Sequence, residues 1–240
     1  MTGHNGRMDD AVARTRLPVV AFVAWGAVLL ALGVALGVWI TRRGEEPFAI
    51  DVWWNSVLAV GLSAYLDVFS FVMNFVGGGW FGAIVLPIGG AVVLLVLRRT
   101  WSAAYFLAAQ AVSAGIVQVL KHTFARVRPD EILVLSDFGS FPSGHVAGAA
   151  TLMTAIAVVF PRWFIVTLGA FYVAAMAFSR TYLHAHWLSD TLGGALVGVG
   201  AALLVAAAFA VPLAREMPPR DADAAPALGA RAHDAPPVPR

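Results

Sequence analysis

Apolar and polar residues alternate along this chain in long blocks rather than at every second or fourth position. Leu17–Ile40 is continuously apolar, long enough to be one helix across a hydrocarbon core of roughly 30 Å. It exceeds the 7–15 residues of a signal-peptide core and ends in Trp39-Ile40-Thr41-Arg42-Arg43, so it reads as a retained anchor. Five further apolar blocks follow: Trp80–Leu97, Trp101–Leu120, Val146–Phe160, Trp163–Phe178 and Leu192–Leu213. The pattern therefore predicts an all-α, polytopic membrane bundle of six transmembrane helices. Between the first two spans, residues 47–79 are amphipathic. Asp51, Asn55, Asp67 and Asn74 interrupt a run rich in Trp, Phe and Tyr, which predicts interfacial helices lying on the membrane. Residues 1–16 read as a cytoplasmic tail, 17–213 as the membrane domain and 214–240 as a disordered cytoplasmic tail.

Composition sharpens this picture. The chain of 240 residues is 60% apolar and 12% charged, against about 45–50% and about 25% in an average soluble domain. Mean hydropathy is +0.78. The lipid bilayer is thus a partner of the fold, and nucleic acid is excluded as one; oligomeric state is left open. The Gly33/Gly37 and Gly194/Gly198 pairs read as close helix packing within one chain. Absence of cysteine removes thiolate metal sites and thiol catalysis. Of the 16 basic residues, only Lys121 is a lysine. With the N-terminus in the cytoplasm, cations favour the cytoplasmic loops, which puts the 121–142 loop on the extracytoplasmic face of the cell membrane.

The charges that remain cluster. Lys121, Arg126, Arg128, Arg180, Asp190 and four of the six histidines lie between positions 121 and 190. The segments 121–145 and 179–190 are separated by two spans, so both emerge on one side. Lys121, Arg128 and Arg180 suit an anion with several oxygens, and arginine forks match phosphate geometry. Ser143 is placed as the N-cap of a helix whose first amides attract an anion, and Gly144 allows close approach. His186 and Asp190 share a helical face, so the carboxylate would bond one ring nitrogen and free the other as nucleophile. His145, without a carboxylate partner, suits a general acid. Arg126 and His122 read as loop or interface residues and His184 as an interfacial histidine. Asp130, Glu131 and Asp137 read as counter-charges to the cationic cluster or as a screen at the mouth of the site.

Lys121-x6-Arg128-Pro129, then Pro142-Ser143-Gly144-His145, then Ser179-Arg180-x5-His186-x3-Asp190, resembles the three-part signature of the type 2 phosphatidic acid phosphatase family. That family groups integral-membrane lipid phosphate phosphatases with soluble vanadium haloperoxidases. The resemblance implies that Lys121, Arg128, Ser143, Gly144 and Arg180 hold the phosphoryl oxygens. It implies that His186 attacks phosphorus to form a phosphohistidine, that Asp190 orients it, and that His145 protonates the leaving lipid oxygen. No metal and no cofactor are called for. The substrate would be a membrane lipid phosphate or diphosphate, such as undecaprenyl diphosphate, phosphatidate or phosphatidylglycerophosphate. A lipid-to-lipid phosphotransferase would use the same site, whereas a transporter would need polar residues spread through several spans.

Overall fold

The computed structural model describes residues 18–61 and 63–216; the proposed tail 1–16 and most of 214–240 lie outside it. Nine α-helices account for the described chain: α1 (Val19–Arg42), α2 (Ala49–Val60), α3 (Ala64–Gly77), α4 (Leu86–Val96), α5 (Thr100–Phe124), α6 (Gly144–Val159), α7 (Trp163–Tyr182), α8 (Leu188–Ala208) and α9 (Ala210–Glu216). A π-helical turn, Phe81–Val85, leads into α4.

α1, α5, α7 and α8 are each long and apolar enough to cross a membrane. The count of six predicted from hydropathy is not reached by length. The predicted fourth span, α6, has 16 residues and rises about 24 Å at about 1.5 Å per residue. At the predicted second span, Trp80–Leu97, the helical stretch Phe81–Val96 is bent by 47° from α3, and the two together would make a fifth crossing. The break falls at Gly77-Gly78-Gly79, where Gly79 takes φ +54°. Large apolar side chains such as Val20, Trp25, Leu95, Leu168 and Phe171 face outward, as expected where the surroundings are lipid.

α6 and α8 form the centre. α1 and α6 pack against α8, while α5 and α7 flank α6. The glycine pairs act within the chain, as anticipated. A Cβ on Gly194 would lie 2.5 Å from the Ser143 carbonyl oxygen, and one on Gly198 would lie 2.3 Å from that of Ala147. The backbone of α8 therefore runs against the first turns of α6. At the far end from the polar cluster, Tyr105, Phe106, Val159, Ala202 and Val205 form an apolar core. Residues 214–216, expected in a disordered tail, instead complete α9. There Glu216 accepts hydrogen bonds from the backbone N–H of Trp101 (2.6 Å) and Ser102 (2.9 Å), capping α5.

Candidate active site

Both sequence segments arrive at one end of the bundle. Lys121 ends α5, Ser143 precedes α6, Arg180 ends α7, His186 lies in the α7–α8 turn and Asp190 opens α8. Gly144, His145, Arg180 and His186 line one cavity of about 780 Å³. Ile84, Ile88, Leu107 and Ala114, of α4, α5 and the turn before α4, form an apolar part of its wall, beside Gln110, Ser113 and Gln118 of α5. A second cavity of about 1000 Å³, between α1, α6, α7 and α8, is lined almost wholly by apolar groups and holds none of the predicted site residues.

The cations converge around His186. Arg128 Nη1 lies 3.3 Å from His186 Nε2 and donates to the Ala185 carbonyl at 2.5 Å. Arg128 Nη2 donates to the Gly139 carbonyl at 2.7 Å, as does Lys121 Nζ. Arg180 is buried and donates to Asn74 Oδ1 of α3. Ser143 Oγ and Arg180 Nε are buried with no hydrogen-bond partner. Two of the predicted phosphate donors therefore keep unused polar capacity, which buried groups rarely do. Gly144 leaves open space, since a Cβ there would meet nothing nearer than Val117 at 3.7 Å. Ser143 does stand at the N-cap of α6, but its hydroxyl makes no cap hydrogen bond.

The two histidines carry opposite proton placements. His186 Nδ1 lies 2.7 Å from the Ser140 carbonyl, which can only accept, so Nδ1 carries the hydrogen and Nε2 presents a lone pair. Burial, then the positive charges of Arg180, Arg128 and Lys121, hold its pKa well below the ordinary 6.5. His145 Nε2 lies 3.1 Å from the Asn74 carbonyl and by the same reasoning bears a proton. The glycine corner after α3 permits this contact: a Cβ on Gly78 would lie 2.1 Å from that nitrogen.

Asp190 departs from expectation. Its Oδ2 is 3.7 Å from His186 Nδ1, beyond hydrogen-bond distance, because Ser140 has taken that hydrogen. The carboxylate instead accepts from the Trp187 backbone N–H (2.8 Å) and from Arg126 Nη1 (2.5 Å). Arg126, expected at a loop or interface, is almost fully buried. It bridges Asp190 to Asp51 of α2 at 3.0 Å and to Ser189 Oγ at 2.8 Å. Asp51 in turn accepts from the Ser189 backbone N–H at 2.8 Å. Removing one partner of such a buried set typically costs about 3–5 kcal/mol. His184 is buried against Asn55 and stays out of the cavity.

Asn74, Ser140, Arg126 and Asp51 are thus site neighbours that sequence reading missed. One signal was available. Asp51 is a charge in an apolar stretch, which demands a buried partner as readily as an interfacial position.

Similarity to known proteins follows the same segments. The chain is 28% identical to a lipid A 1-phosphatase of Rhizobium etli over 182 residues, 69% of this chain and 74% of the other. It is 30% identical to phosphatidylglycerophosphatase B of Bacillus subtilis over 112 residues, 42% of this chain and 55% of that protein. The crystal structure of a transmembrane PAP2-type phosphatidylglycerolphosphate phosphatase from Bacillus subtilis shares the fold with a TM-score of 0.65. That match has 22% identity and covers 75% of this chain and 93% of that one. The sequence model of the PAP2 superfamily matches residues 102–212, which hold all eight predicted site residues. Over those residues the chain is similar to the PAP2 superfamily.

Proposed function

We propose that this membrane lipid phosphate phosphatase removes the terminal phosphate of a lipid monophosphate or diphosphate through a phosphohistidine on His186. The observation that carries this reading is the neutral His186, its Nε2 lone pair 3.3 Å from Arg128 in a cavity shared with Arg180. A nucleophile surrounded by cations suits a phosphoryl group, because the cations stabilise charge spread over its equatorial oxygens.

In the first step the Nε2 lone pair forms an N–P bond as the P–O bond to the lipid breaks. A doubly protonated His145, favoured once the phosphate dianion is bound, gives a proton to the departing oxygen and is left neutral. Water then attacks the phosphohistidine, His145 takes the water's proton, and inorganic phosphate leaves with His186 restored. Lys121, Arg128, Ser143, Gly144 and Arg180 hold the phosphoryl oxygens in both steps. Asp190 acts at one remove, by holding the α7–α8 turn through Trp187 and Arg126. The apolar wall of the cavity takes the first part of the lipid tail. α2 and α3 lie at the interface, and the site opens on the extracytoplasmic face.

Similarity to a lipid A 1-phosphatase adds lipid A to the substrates considered from sequence. The test is phosphate release by the purified full chain in detergent with EDTA present. The panel comprises lipid A, phosphatidylglycerophosphate, phosphatidate and undecaprenyl diphosphate. At least one should be hydrolysed, and His186→Ala should abolish the activity. Hydrolysis of none, or complete dependence on added magnesium, would overturn the reading.

A further inference from the structure

One acidic residue of the site has no part in the chemistry above. Asp137 lies on the segment between α5 and α6, and its side chain is 56% exposed. Even so, its Oδ1 is 2.8 Å from Arg128 Nη2 and 3.2 Å from Lys121 Nζ. It lines the same cavity as His145, Arg180 and His186. Glu131 turns away to Asn55, and Asp190 is held behind His186 by Arg126. Among the described residues Asp137 is the carboxylate that ion-pairs with Lys121 and Arg128.

A single negative charge therefore already engages two of the cations proposed to hold phosphate. Any anion entering the site must displace it. We propose that Asp137 is a specificity-determining residue: it keeps singly charged phosphodiester headgroups out and yields to the doubly charged phosphate end of a monoester or diphosphate lipid. The proposal rests on the phosphate-holding role given above to Lys121 and Arg128.

The exchange decides the outcome. A phosphodiester would replace one monoanion by another on the same two cations, with no Coulombic gain, and would have to fit a second ester arm. A phosphomonoester dianion brings twice the charge to Lys121, Arg128 and the nearby Arg180, and gains from the trade. Asp137 can leave cheaply, because a half-exposed carboxylate on a loop returns to water rather than to a buried place. An enzyme working in a bilayer faces diester headgroups as its most abundant anions, so a cationic cavity without such a competitor would be occupied by them.

The experiment compares wild type, Asp137→Asn and Asp137→Ser as full chains in detergent, hydrolysing a short-chain phosphatidate. Inhibition constants are measured for a short-chain phosphatidylglycerol, a diester, and for orthovanadate. Both variants should bind the diester about tenfold more tightly or better, the scale of one charge-assisted contact. Vanadate should tighten by a smaller factor, so discrimination against the diester narrows. Unchanged diester inhibition would overturn the proposal. So would parallel weakening of both inhibitors, which would make Asp137 a residue that positions Lys121 and Arg128. Lys121→Gln separates the two levels: if it leaves vanadate inhibition unchanged, the phosphate-holding reading itself fails, whatever Asp137 does.

Discussion

At the scale of single residues, the proton on His186 is set by geometry and its pKa by charge. Ser140 fixes the hydrogen on Nδ1, and burial with three positive neighbours disfavours a second proton. A histidine whose pKa is lowered stays neutral, and hence nucleophilic, at pH values where an ordinary one has begun to protonate. The acid limb of kcat/KM, which reports the free enzyme, should therefore lie below pH 6.5 once the substrate's own ionisation is allowed for. Arg128→Gln removes a positive neighbour, so it should move that limb upward while lowering the rate by roughly 10²–10³. A limb that stays in place or moves down would show that Arg128 does not face the nucleophile. That Lys121, Arg128, His145, Arg180 and His186 come together was readable from sequence, through motif spacing and span parity. Their supports were not. Asp51 and Ser189 meet across 138 positions, and Asn74 reaches both His145 and Arg180 from a helix with no matching motif. Local spacing carries no information about such contacts.

At the scale of elements, the site depends on how closely α6 approaches α8. The Ser143 carbonyl and the first turn of α6 rest on Gly194 and Gly198, and the Ser143 backbone N–H donates to the Asp190 carbonyl at 3.0 Å. Gly198→Leu would drive a side chain into the backbone of Ala147, which cannot give way as a flexible side chain would. We expect a loss of about 1–3 kcal/mol or more in stability. Activity should fall further than stability, as Ser143 and His145 move with the helix. Gly115→Ala on α5 meets nothing within 4 Å and serves as the control, with thermal stability and turnover both preserved. Equal effects of the two substitutions would mean that the α6–α8 approach is not what positions the site. Hydropathy located four long helices within a few residues. It overstated α6 and the span before α5, because apolar length cannot tell a membrane crossing from a short buried helix or from one bent at a glycine run.

At the scale of the whole molecule, polar groups gather at one end of an otherwise apolar bundle, so the side that end faces decides which lipid pool it serves. The proposed function puts it on the extracytoplasmic face. The cysteine-free chain allows single cysteines at Ser136, Gly44 and Thr100 to be labelled in intact cells with an impermeant maleimide. Ser136 and Gly44 should react, and Thr100 only after lysis; the reverse pattern would put the site in the cytoplasm. The covalent mechanism is tested most directly by rapid quenching with a lipid substrate carrying ³²P in its terminal phosphate. Wild type should acquire an acid-labile, alkali-stable label, and His186→Ala should acquire none and turn over no lipid. Label retained in His186→Ala, or more than about a tenth of wild-type turnover in that variant, would contradict the account.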